Sequence, residues 1–335
     1  MTSTRSQQFG VVAQVEIVPP FADGIRVNPD VTPGVPQTRV DWRIRKGIGG
    51  SQPAEATVVM YNLAQSSRST AAGELRRIID FSDEFAFLDG RLVTGADLGG
   101  EASVSAGTGF GRLKVSARYS GSSATARLFD GTLSFARSRR VGGNTWVTTA
   151  QGSDGIIQDT SAIADKFWGS DVSAPEVLDY LVRRVMVAEL ATEIPQALAK
   201  YTFAGGYDAT NIYATDILDQ LTKLTRTQWW WDDGAVYITD VGKPLPGPPI
   251  IVSSKSEPGA RLLIDKPERT EDNQVVCPML LSPDVRPNTL IRIRSNDLGG
   301  DHVVNSVEHR GQNRGSRSVC RTIATCTPLG VVGFL

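Results

Sequence analysis

Two histidines and three cysteines are all the imidazole and thiol the chain possesses, and they bound most of the chemistry open to it. His302 and His309 fall in one predicted strand, and their odd spacing sends them to opposite faces, so they cannot converge on one metal ion or one nucleophile. Each reads as an ordinary strand residue facing solvent or a neighbour. A site built from Cys277, Cys320 and His309 lacks the CxxC or HxxxH spacing that metal binding favours. Cys320 and Cys326 share a predicted strand and would sit roughly 20 Å apart at a rise of ~3.3 Å per residue, beyond disulfide reach. Cys277 could meet either, but buried free thiols are the expectation.

Other constellations fare no better. There is no GxSxG nucleophile elbow and no GxxxxGK[ST] phosphate loop. Gly107-Thr108-Gly109-Phe110-Gly111 has no helix after it and reads as a flexible stretch. The carboxylate pairs Asp232-Asp233 and Glu271-Asp272 sit where turn preference alone would put them. The run Trp229-Trp230-Trp231 could stack sugars or bases. Strand alternation instead sends Trp229 and Trp231 to a core and Trp230 to the opposite face, where it would serve an interface. No catalytic residue, metal or cofactor is expected.

Bulk composition agrees. At 335 residues two or three domains are the prior, and 40% apolar residues suffice to fill their cores. The 35 basic and 36 acidic side chains leave a formal charge of -1, against the basic excess that phosphate binding demands. The polar start, Met1 to Gln8, has no apolar signal region, and three cysteines suit a reducing compartment. Folding in a cytosol is expected.

The elements that would position these residues are mostly strands. Val11–Ile17, Val40–Ile44, Ala54–Met60, Leu113–Tyr119, Arg127–Arg137 and Thr145–Ala150 are strand segments, most of them alternating with period two, as sheets with one buried face do. A helix is predicted after the caps Ser66–Arg68, with Leu75, Ile78 and Ile79 on its apolar face, and Asp89–Arg112 reads as a Gly-rich insertion. From Ile156 to Thr225 the period becomes helical. Ser173-Ala174-Pro175-Glu176 is a capping box before the stripe Val177, Leu178, Leu181, Val182, Val185 and Met186. A second helix carries Ile217, Leu218, Leu221 and Leu224 and leads into the tryptophan strand. Asp232-Asp233-Gly234 then makes a hairpin turn to Ala235–Thr239. Gly242–Pro249 holds four prolines and reads as a stiff linker. Four strands follow, Gln274–Leu281, Thr289–Ser295, His302–Arg310 and Arg317–Cys326, the last two joined by the loop Gly311–Gly315. Three domains result: a β domain over 1–155 with the insertion at about 89–112, a small α+β domain over 156–241, and a C-terminal β domain over 242–335.

Three segments in this order resemble the baseplate or tail-tip hub proteins of long-tailed phages. Ala54–Leu63 (ATVVMYNLAQSSR in context) is similar to a strand ending in Tyr-Asn-Leu before a polar cap with arginine. Ala214–Asp240 pairs a helix of ATDILDQLTKLT type with the strand and turn WWWDDGAVYITD, as in the small α+β domain of such hubs. Gly299–Thr325 resembles their closing hairpin.

That resemblance implies a mainly β fold with two tube-like β-barrel or sandwich domains flanking the α+β domain. It implies a homotrimer that adapts a sixfold tail tube to a threefold tip or spike and surrounds a channel through which DNA passes without specific binding. Partners would be copies of itself, the tube or a distal tail protein, a spike or tip protein and a tape-measure protein. The place would be the tail tip of a virion assembled in a host cytoplasm. Subunit contacts are then expected at Arg39, Arg43, Arg45, Tyr61, Trp230, Arg292 and Arg294. The apolar end, Phe334 and Leu335, is expected to pack on a neighbour, and no fibre or lysozyme extension is expected after it. The competing expectation is a glycan-binding or wall-degrading β protein that uses the Trp229–Trp231 strand as platform and Asp232/Asp233 as chemistry.

Overall fold

The computed structural model describes residues 11–18, 25–28, 38–49, 53–68, 111–119, 125–155, 161–313 and 320–330. The predicted helix beyond residue 68, nearly all of the Gly-rich insertion, and Phe334 and Leu335 lie outside these residues; residues 65–68 form a helical turn. The mainly β class with an α+β insert is what the chain adopts. It divides into two compact units. The first is 1–44, 55–157 and 309–320; the second is 45–54, 158–308 and 321–335.

The first unit contains β1 (Val11–Val18), β2 (Ile25–Val27), the opening half of β3 (Val40–Gly47), β4 (Glu55–Tyr61), β5 (Gly111–Tyr119), β6 (Ala126–Arg140) and β7 (Trp146–Ser153). They lie in the order β3-β4-β7-β6-β5-β1-β2, and the pairs from β4 onward are antiparallel. The alternation read from sequence fixes which face is inside: Val40, Trp42 and Ile44 are buried, as are Ala56, Val58 and Met60, while Arg43 and Glu55 are exposed. Gly111 and Arg112 belong to β5, so the insertion ends two residues earlier than its composition indicated. Gly152 has a packing reason. A Cβ there would stand 2.9 Å from the Thr132 carbonyl oxygen and 3.0 Å from Leu113 Cδ2.

The second unit begins with a ladder of very short strands: β8 (Ile163–Ala164), β9 (Phe167–Trp168), β10 (Val172–Ser173), β11 (Glu189–Leu190), β12 (Thr202–Phe203), β13 (Tyr207–Asp208) and β14 (Ile212–Tyr213). Helix α1 (Ala174–Asp179) starts where the capping sequence predicts, with the Glu176 amide donating to Ser173 Oγ at 3.4 Å. It continues as a π-helical turn, Tyr180–Val185. After the short α2 (Gln196–Ala199) comes α3 (Ala214–Thr225), which buries Ile217, Leu218 and Leu221. Leu224, assigned to the same stripe, is exposed instead, because the covered face of the last turn carries Thr222 and Thr225 and Leu224 lies off it. β15 (Thr227–Asp232) and β16 (Ala235–Asp240) form the expected hairpin, with φ of 53° at Asp233 and 82° at Gly234, the left-handed pair a tight turn needs.

The rest of the unit is β17 (Ile250–Ser253), β18 (Arg261–Leu262), β19 (Glu268–Arg269), β20 (Val275–Leu280), β21 (Leu290–Arg294), β22 (Gly299–Gln312) up to residue 308, and β23 (Arg321–Pro328). The four long strands match expectation. β17 does not: the prolines before it masked a strand that pairs in parallel with both β18 and β21. Their core includes Val252, Val275, Met279, Ile291, Ile293 and Val304.

Candidate functional site

The Asp232-Asp233-Gly234 turn carries a buried charge cluster. Lys46 Nζ lies 2.5 Å from Asp232 Oδ1 and 3.1 Å from Asp233 Oδ1. Arg286 Nη1 lies 3.4 Å from Asp232 Oδ2 and 3.1 Å from Asp233 Oδ2. The side chains of Lys46 and Asp232 are 3% and 2% exposed. Two carboxylates thus face one ammonium and one guanidinium, and the charges cancel. Burial works against the Arg286 charge, yet Asp232 and Asp233 outweigh it and raise its pKa above the ordinary arginine value. Each carboxylate is held by both cations, so the cluster ties the hairpin turn to Lys46 and Arg286, which are remote in sequence.

The same face of β15 explains Trp230. Residues 228, 230 and 232 share that face. Gln228 Nε2 approaches Asn288 Oδ1 at 3.4 Å, and Asp232 is held by Lys46 and Arg286. Asn288 in turn donates to Thr239 Oγ1 and to the Lys243 carbonyl, each at 3.0 Å, and accepts from the Leu245 amide at 2.8 Å. The Pro-rich stretch is therefore pinned at its start. Trp230 lies within this layer at 1% exposure, stacked on Tyr237 with ring centroids 5.3 Å apart. Its expected place at a subunit surface is corrected: the second face of the strand is covered by the chain itself. Trp229 and Trp231 pack in the α+β core as alternation predicts, and Trp229 Nε1 donates to Asp219 Oδ1 at 2.7 Å. All three indoles are buried, which removes the stacking platform that the glycan reading required.

The other expected contact residues among those described are exposed or half-buried, and most are tied within the chain. Arg39 pairs with Asp41 through Nε at 3.1 Å and Nη2 at 3.0 Å, reaches Gln312 Oε1 at 3.2 Å, and lies 4.4 Å over the Tyr61 ring. Tyr61 donates its hydroxyl to Asp41 Oδ2 at 3.1 Å. Burial, and then the Asp41 carboxylate, lift the Tyr61 phenol above its ordinary value. Arg45 pairs with Glu308 at 3.2 Å, Arg292 forks onto Asp301 at 2.6 and 2.8 Å, and Arg294 meets Glu257 at 2.9 Å. Arg43 is exposed. Solvent screens exposed pairs of this kind, so they add little to stability and suit a rim better than a core of contact.

Histidines and thiols do not form a site. His302 and His309 are both buried rather than facing solvent, because the strand carrying them is covered on both faces; His302 Nδ1 lies 3.0 Å from the Gly300 carbonyl oxygen. The described residues hold no group of three His, Cys, Asp or Glu that could bind a metal. Cys277, Cys320 and Cys326 are free and buried, as expected. Burial pushes the Cys277 thiol up to about 12 and the Cys320 thiol to about 11. Ellman's reagent should therefore label none of the three in the folded chain within minutes and all three in urea. Since the folded thiols ionise later than unfolded ones, stability should be complete below about pH 9 and fall as pH rises through 11 and 12. Rapid labelling of the native chain overturns this.

Sequence reading missed two partners in the cluster, Lys46 and Arg286. Only the unfavourable inward position of Lys46, on the buried side of an alternating strand, could have signalled one of them. It also missed a charge asymmetry that counting by segment reveals. Residues 156–241 hold thirteen Asp and Glu against six Lys and Arg, in a chain that is nearly neutral overall.

No family model and no curated protein matches the chain. Solved structures do. The 43 kDa tail protein of prophage MuSo2 from Shewanella oneidensis superposes with a TM-score of 0.54 at 10% identity, over 96% of this chain and 99% of that one. A tail protein from Neisseria meningitidis MC58 gives 0.55 at 9% identity, over 97% and 98%. The E. coli c3393 protein, described as a type VI secretion component similar in structure to T4 tail proteins gp27 and gp5, gives 0.52 at 7% identity, over 90% and 77%. The chain has the fold of phage tail proteins, as its three segments implied.

Proposed function

We propose that this chain is a structural subunit of a phage-type tail, the hub at the tip of the tube, working as a homotrimer that joins a sixfold tube to a threefold tip. The observation that carries this reading is the end-to-end correspondence of fold with two tail proteins, in which almost all of each chain takes part. Low identity over a shared fold suits a part selected for assembly geometry, since many sequences fill the same cores. Two further features support a role without catalysis: the Asp232/Asp233 carboxylates are neutralised by cations, and the thiols are held protonated by burial. Its partners are then other copies of the chain, the tube or a distal tail protein, a spike or tip protein and a tape-measure protein, with DNA passing through the axis. Its place is the tail end of an assembled particle.

Electron microscopy of the purified chain, alone and with tube protein, tests the reading. Threefold rings with an open passage, seated on the end of the tube, are the expected result. Lone particles that never associate with one another or with the tube overturn it.

A further inference from the structure

Two exposed patches match each other in apolar content and oppose each other in charge. The first lies on the short ribbons of the α+β module. Ile163, Asp165 and Phe167 alternate with buried Ala162, Ala164 and Trp168, so all three point outward. Lys166, between them, turns in over the Trp168 and Tyr180 rings at 4.7 and 4.8 Å. Tyr213 stands directly opposite Ile163, and Asp208 opposite Phe167. Phe167 is 66% exposed, and Ile163 and Tyr213 are exposed as well. Asp208 is held in place by the Thr210 amide and hydroxyl, which donate to Oδ1 at 2.9 and 2.6 Å. Three large apolar side chains around two carboxylates, with no outward cation among them, form an acidic, sticky surface.

The second patch lies on the β6–β7 hairpin. A register shift between Leu133 and Phe135 re-aims the end of β6. Beyond it Phe135, Arg137 and Arg139 share one face, opposite Gln151, Thr149 and Val147, and Val141 follows at 47% exposure. Residues 134–150 contain three arginines and no carboxylate, and among the described residues no ion pair engages Arg137 or Arg139. Arg140 is taken up by its own turn, donating to the Gly143 carbonyl and to Asn144 Oδ1. This surface is basic and sticky.

We infer that the acidic patch around Phe167 of one copy docks on the basic hairpin face around Arg137 and Arg139 of a second copy. The inference rests on the hub reading, which calls for identical copies around one axis. Two different patches meeting head to tail make a heterologous contact, the kind that closes into a ring. Apolar side chains supply the buried centre, and the opposed charges fix register and reject like-with-like pairing.

The test uses the full chain and two double variants, R137E/R139E and D165K/D208K, in sedimentation velocity at low and high salt. All four positions are exposed and outside any core, so circular dichroism should match wild type, with only a small fall in melting temperature where D208K loses its two bonds from Thr210. Each double variant should weaken self-association by roughly 100-fold or more, and wild-type association should fall with added salt. The quadruple swap, which exchanges the signs, should restore association to within about tenfold of wild type. Unchanged association in either double variant, or no recovery in the swap, overturns the inference. Binding of another tail protein that is lost in R137E/R139E while self-association persists overturns it in favour of that partner. Threefold rings that persist in both double variants sink this contact and leave the hub reading standing; absence of rings in wild type sinks the hub reading and the contact with it.

Discussion

Replacing Lys46 by methionine is expected to lower the unfolding free energy by about 3–5 kcal/mol, read as a fall in the urea midpoint at unchanged slope. The substitution keeps volume and removes the ammonium that faces Asp232 at 2.5 Å and Asp233 at 3.1 Å. Arg286 alone then faces two buried carboxylates, and one negative charge stays in a low-dielectric layer without a counter-ion. Removing a second charge should recover part of the loss. The double variant K46M/D232N leaves Arg286 with Asp233 at 3.1 Å, a neutral arrangement again, and should be more stable than K46M alone. A loss below about 1 kcal/mol for K46M, or no recovery in the double variant, means that water reaches the cluster.

Cutting Trp230 back to alanine should cost about 3–5 kcal/mol, because it empties a fully enclosed indole site and ends the stack on Tyr237. Trp230→Phe, which keeps a ring against Tyr237, should cost distinctly less. The readout also decides where the residue belongs. A tryptophan at a subunit surface would leave the lone chain as stable as before and weaken only assembly. One enclosed by its own chain lowers the stability of the monomer first, with loss of near-ultraviolet ellipticity. An unchanged melt with failed assembly would restore the surface role read from alternation. Trp230 and Lys46 act in one layer, so their combined loss should be less than additive.

Much of the fold was legible because it is local. Period-two alternation located β1, β3, β4 and β5, since burial of one face imposes that pattern whatever the partners are. The Ser173 cap, the Asp-Gly turn and the apolar stripe of α1 depend on neighbours within four residues, and all three stand where the sequence puts them. β17 was hidden for a related reason. Its four residues follow a run of prolines, and what makes them a strand is pairing with Arg261–Leu262 and Leu290–Arg294 far along the chain. The Leu224 error is of the same kind, because what packs on the last turn covers Thr222 and Thr225 rather than Leu224.

Taken alone, the order of residues determined the mainly β class, the placement of the α+β insert and the inward faces of its strands. It also determined the poverty of histidine and thiol chemistry. Tertiary structure decided what covers the second face of a strand. Alternation put Trp230 at an interface and turn preference accounted for Asp232/Asp233, yet Trp230 is enclosed, and Lys46 and Arg286 arrive from remote segments to pair with the carboxylates. Alternation says that two faces differ, but only long-range packing says whether the second one meets water or the chain itself.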